Sequence, residues 1–155
     1  DSVISSYRRY LSAFLEFLSD VSIPVPTVTG CELTYVNHIS QEDGWKSVDD
    51  LPVVFQDMHW QNDSGRFLPT PRNLSWRMQF ALPTAGVLPA SLSHAVRVKD
   101  QVPTLKLELA AKAALANKTF DDIWSWFDVA HEWIVRGFVD LTQHDIQRRT
   151  WGRTK

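Results

Sequence analysis

Apolar residues recur at spacings of three and four over residues 5–19, where Tyr7, Tyr10, Leu11, Phe14, Leu15, Phe17 and Leu18 predict an amphipathic helix that packs on another element. The stretch Ile23-Pro24-Val25-Pro26 ends it, because proline lacks an amide donor and pushes the preceding residue toward extended geometry. The period then changes to two. Over residues 31–39, Leu33, Tyr35, Asn37 and Ile39 share one face of a strand. Asp50 is placed to cap a short helix over 51–59, with Pro52 tolerated in its first turn. Residues 61–72, rich in Asn, Asp, Ser, Gly and Pro, read as a loop.

Alternation returns in Leu74, Trp76, Met78 and Phe80, again in Leu92, Val96 and Val98, and again in Leu105, Leu107 and Leu109. Pro83, Gly86 and Pro89 mark the first link, and Asp100-Gln101-Val102-Pro103 the second. Links this short favour an antiparallel meander, since parallel neighbours need a crossover of about a dozen residues or more. The last third predicts a long helix to about residue 140, opened by Thr119 and Asp122 as a capping box with Asp in the usual Glu position. Its polar stripe is Asp121, Ser125, Asp128, Glu132 and Arg136. Phe120, Ile123, Trp124, Phe127, Ile134 and Phe138 form a broad apolar face, widened by Trp126, Val129 and Trp133. A helix apolar around so much of its circumference is expected against the sheet and against a second partner. Thr142 and Asp145 repeat the cap pattern for a short final helix ending near Trp151-Gly152-Arg153. The expected fold class is α+β: an antiparallel sheet of about four strands packed by a long C-terminal helix and an N-terminal helix, with residues 1–155 as one domain.

Composition changes this picture little: 44% apolar and 22% charged residues are ordinary globular values. Seven Trp and eight Phe are expected to dominate the core and to leave some aromatic surface for an interface. Cys31 is the sole cysteine and cannot form an internal disulfide, which fits a reducing compartment, so the expected localisation is cytoplasmic. No apolar run reaches the roughly 18–20 residues that span a bilayer, so no membrane partner is expected. Net charge is −2 but segregated: residues 31–63 carry seven acidic and one basic side chain, 66–118 two acidic and eight basic, and 119–145 six acidic and one basic. Either these segments neutralise one another across the fold, or the basic one forms an anion-binding or partner-binding face.

The chemistry is sparse. His131-Glu132 opens like the zinc-protease helix motif, but the second histidine would stand four residues after the first, and Val135 is there. No metal and no cofactor is expected. Asp128 and His131 lie one turn apart, so His131 with Asp128 or Glu132 is the only weak catalytic constellation. Asn37, His94 and His131 are each polar residues on an apolar face. They either converge on a small-ligand pocket or are satisfied one by one, because an unpaired buried polar group costs about 1–3 kcal/mol. The opposite sheet face carries Arg77, Arg97, Lys99, Lys106 and Lys112 among small residues. Arg77, Arg97 and Lys106 are its partner-binding candidates. It lacks the exposed aromatic platforms that nucleic-acid readers often use.

Three segments carry a resemblance: Cys31-Glu32-Leu33-Thr34-Tyr35-Val36-Asn37-His38-Ile39, residues Trp126 to Phe138, and the closing Trp151-Gly152-Arg153. Together they resemble the C-terminal part of a sporadically distributed bacterial family of uncharacterised proteins. The resemblance implies a bacterial origin and an additional N-terminal portion, in keeping with a first residue, Asp1, that is not Met. It attaches no catalytic role to any residue. The leading functional expectation is a non-enzymatic binding or protein-interaction module, whose partner is the missing N-terminal portion or another subunit. The alternatives are a small hydrolase-like enzyme using a histidine acid/base, and an anion- or nucleic-acid-binding domain.

Overall fold

A computed structural model describes residues 3–58, 65–71, 73–81, 90–99, 104–114 and 119–152, with backbone only for 90–99 and for residue 104. The elements are α1 (Val3–Asp20), β1 (Gly30–Ile39), two single-turn 3₁₀ segments (Gln41–Asp43 and Val48–Asp50), α2 (Leu51–Val54), β2 (Asn73–Ala81), β3 (Ala90–Lys99), β4 (Thr104–Ala114), α3 (Phe120–Leu141) and α4 (His144–Arg149). Residues 65–71 of the predicted 61–72 loop are free of helix and strand, as expected, whereas 61–64, 72 and the links at 83–89 and 100–103 lie outside the described residues.

Strands β2, β3 and β4 form the antiparallel meander, and β1 adds to the far edge of β4, giving the order β1-β4-β3-β2. The β1–β4 register runs from Gly30 opposite Ala114 to Ile39 opposite Leu105. It puts Leu33, Tyr35, Asn37 and Ile39 on one face with Leu105, Leu107, Leu109 and Ala111, the β4 residues being fully buried. Helix α3 covers that face through Ile123, Trp126, Phe127, Ala130 and Ile134, which recur at helical spacing and are all buried. The capping box is formed: Thr119 Oγ1 accepts the Asp122 amide at 3.2 Å, and the Asp122 carboxylate accepts the Thr119 amide at 3.0 Å.

The second partner of α3 is α1. Tyr7 meets Trp124 and Phe127 edge-on, each at 5.7 Å between ring centres, and the Arg8 guanidinium lies over Trp124 at 5.3 Å. Helix α1 ends before its prolines: Ser22 takes a left-handed conformation (φ 55°), and the Ile23 amide bonds back to the Leu18 carbonyl at 2.8 Å.

Several expectations are corrected. The helix after Asp50 does not run to residue 59 but stops at Val54, because Phe55 turns extended and bridges Thr142, while the Gln143 amide bonds Val54 O at 2.8 Å. Thr142 does not cap the final helix. It ends α3, and Gln143 is the N-cap of α4. Thr142 is instead buried, its hydroxyl donating to Phe138 O at 2.7 Å and accepting from Gln147 Nε2 at 2.8 Å. Finally, Trp76 and Phe80 stand on the core-facing side of β2 yet stay partly exposed, because α3 lies over β4 and β1, away from this edge.

Candidate functional site

The polar residues singled out on α3 point to three different neighbours. Asp128 forms an ion pair with Arg8 of α1 at 2.9 Å, and Glu132 pairs along its own helix with Arg136 at 2.6 Å. His131 reaches β1, where its Nδ1 shares a hydrogen bond of 2.7 Å with the Tyr35 hydroxyl. Neither carboxylate orients the imidazole, so the arrangement that activates a histidine base, an acid holding the second ring nitrogen, is not assembled. Asp128 and His131 stand one turn apart on α3, but each bonds to a different element.

Strand parity does bring Asn37 beside this pair. Tyr35 and Asn37, two residues apart on β1, line a groove of about 220 Å³ with Leu109, Ile134, Val135 and Phe138. The volume falls below the roughly 300–1,000 Å³ of drug-sized ligand sites. Val135, standing where a second zinc-binding histidine would be, makes the groove wall apolar. Among the described residues no group of three His, Cys, Asp or Glu side chains could hold a metal ion. His94 registers with Leu109, which registers with Tyr35, but its side chain lies outside the described residues.

On the opposite sheet face the basic residues are interleaved with acids. Lys106 pairs with Glu108 at 2.8 Å and Lys112 with Glu32 at 2.9 Å. The Lys112 ammonium, and after it the Thr34 hydroxyl, hold the Glu32 carboxyl below its ordinary pKa. Arg77 is exposed and registers with Ala95, which registers with Glu108. Arg97 sits in register between Ser75 and Lys106, and its side chain is outside the described residues. Counting cations alone overstated the positive charge of this face, since Glu32 and Glu108 share it.

The sequence reading missed how little of α1 its packing covers. Leu18 is its sole buried residue, whereas Val3, Tyr7, Tyr10, Phe14, Phe17 and Val21 are 45–75% exposed. These six are spaced alternately by four and three, so they form one continuous stripe. Ile4, Leu11, Leu15 and Leu18 form the neighbouring, better-covered stripe. Spacing alone could have divided the two rows, but which row meets the body depends on contacts with α3. No family model, curated protein or solved structure matches the chain. Among the described residues no helix is long and apolar enough to cross a membrane.

Proposed function

We propose that this chain is a non-enzymatic protein-interaction module whose docking surface is the outward stripe of α1. The observation that carries the reading is the exposed row Val3, Tyr7, Tyr10, Phe14, Phe17 and Val21. Its four aromatic rings, each of roughly 150–250 Å² and about half exposed, leave on the order of 400 Å² of contiguous apolar surface. That matches the largest apolar patch of a typical monomer, which is often functional. Most helical stability in proteins comes from packing of an apolar face, so a partner on the second stripe stabilises α1 as well as being recognised by it. The engagement of Asp128 with Arg8 and of Glu132 with Arg136 weighs against the hydrolase alternative. The local pairing of Lys106 and Lys112 weighs against a phosphate-binding face.

The test is photocrosslinking in cells from a benzoylphenylalanine placed at Phe14, with Ser12, on the opposite side of α1, as the control position. A discrete adduct from Phe14 and none from Ser12 is expected. No adduct from Phe14, or the same adducts from both positions, would overturn the proposal.

A further inference from the structure

We infer that the β2 edge of the sheet takes an added strand: an extended segment of another protein that carries a carboxylate opposite Arg77. A sheet edge presents a row of unpaired amides and carbonyls, and folded proteins normally blunt it with a short strand, a proline, a bulge or several charges. β2 has none of these. It runs for nine residues, Asn73–Ala81, and pairs with β3 one-to-one from Asn73 opposite Lys99 to Ala81 opposite Ser91. It contains no proline and carries Arg77 as its single charge. Among the described residues it pairs with β3 alone. Every second residue of such a strand turns its amide and carbonyl outward, which is the backbone half of a binding site for an extended peptide. The far edge, β1, is different: α3 stands over its inward side chains, and outward Glu32 is already paired with Lys112 at 2.9 Å.

The side chains supply the other half. On the face turned toward the core, Trp76 is 38% exposed between the half-buried Leu74 and Met78, so apolar surface flanks the open edge. An added strand extends that face and lays its own alternate side chains along it. On the other face Arg77 is exposed, stands opposite the small Ala95 and forms no ion pair among the described residues. The two faces together define the occupant. It carries apolar residues in alternate positions and an acid opposite Arg77, where opposite charges stabilise a cross-strand pair. The same arginine selects against a second copy. Arg77 is the fifth of the nine residues, so antiparallel pairing of β2 with itself over its full length sets Arg77 directly against Arg77 of the other copy. Like charges directly opposite are destabilising, and a two-residue shift that keeps the faces matched leaves two residues of each strand unpaired. The inference does not rest on the α1 stripe.

The experiment is fluorescence anisotropy of the full chain with a labelled probe, Thr-Val-Thr-Val-Glu-Val-Thr-Val-Thr, and with the same peptide carrying Lys at its centre. The Glu probe is expected to bind, and the Lys probe to bind about threefold or more weakly. Arg77→Glu, a change at an exposed side chain whose folding is checked by circular dichroism, should reverse that order. Two further probes keep the Glu but are N-methylated at alternate residues, one in each phase. One phase should lose binding and the other keep it, because an added strand bonds the sheet through only one of its edges. No binding of the Glu probe, equal binding of the Glu and Lys probes, an order that survives Arg77→Glu, or the same response to both methylated phases would each overturn the inference. A wild-type chain that dimerises in sedimentation velocity and loses the dimer on Trp76→Lys would give the edge to a second copy and overturn it as well. The Phe14 photocrosslink reads α1 alone, so either reading can fail without the other.

Discussion

Replacing Gln147 by Met should destabilise the fold by about 2–3 kcal/mol, and the structure shows where that energy sits. Gln147 is 2% exposed, and its Nε2 donates to the Val139 carbonyl at 3.0 Å, the Thr142 carbonyl at 3.0 Å and the Thr142 hydroxyl at 2.8 Å. Methionine keeps the length and most of the volume, so the change removes donors without opening a large cavity. The Thr142 carbonyl retains Gln56 Nε2 as a donor at 3.0 Å. The Val139 carbonyl and the Thr142 hydroxyl each lose a bond, worth about 1–1.5 kcal/mol apiece. Thr142→Val should cost less, about 1 kcal/mol, because Phe138 O keeps the Thr142 amide when the hydroxyl is gone. The two substitutions share the Gln147–Thr142 bond, so the double variant should fall short of additivity by about 0.5–1 kcal/mol. Urea denaturation followed by tryptophan fluorescence reads all three values. The slope should stay constant, as the surface exposed on unfolding is unchanged. In thermal melts Gln147→Met should lower the midpoint by about 4–12 °C. A shift below about 0.5 kcal/mol for Gln147→Met, or strict additivity in the double variant, would show that these bonds do not hold the α3–α4 corner.

Phe127 is buried against Tyr7, Trp124 and Trp126, so Phe127→Ala should cost about 3–5 kcal/mol in the same assay, and an unchanged midpoint would remove it from the core. Glu32 is held below its ordinary pKa by Lys112 and then by Thr34, so its contribution is complete above the ordinary carboxylate value and is lost as pH falls through the lower folded value. Its exposure keeps the effect on stability small. Carboxyl-detected NMR titration should show the Glu32 midpoint rising in Lys112→Met, and an unmoved midpoint would discount the pair.

What the sequence made legible follows from which signals are local. The start of α3 was readable because Thr119 and Asp122 cap it three residues apart, and the strands because a period of two fixes which side chains share a face. The same Thr-x-x-Asp pattern misled at Thr142 and Asp145. A threonine hydroxyl serves a helix end equally well as a cap or as an acceptor for a buried amide, and the deciding group, Gln147, lies two residues beyond the pattern. Asp128 and His131 looked like a pair for a similar reason. Helical spacing put them within reach, but Arg8, 120 residues earlier, and Tyr35, 96 residues earlier, hold them instead. Periodicity identifies a face and is silent about what covers it. Trp76 and Phe80 alternate like core residues, and they remain partly exposed because α3 makes its main sheet contacts with β4 and β1.

The same limit gives α1 its meaning. Apolar residues around so much of a helix require more than one contact, and α3 supplies one of them through Tyr7 and Arg8. Had the remaining row been irregular, it would be scattered exposed apolar surface of the kind every folded protein carries. Its unbroken four-three spacing makes it one surface, of which Tyr7 alone meets the rings of α3, at Trp124 and Phe127.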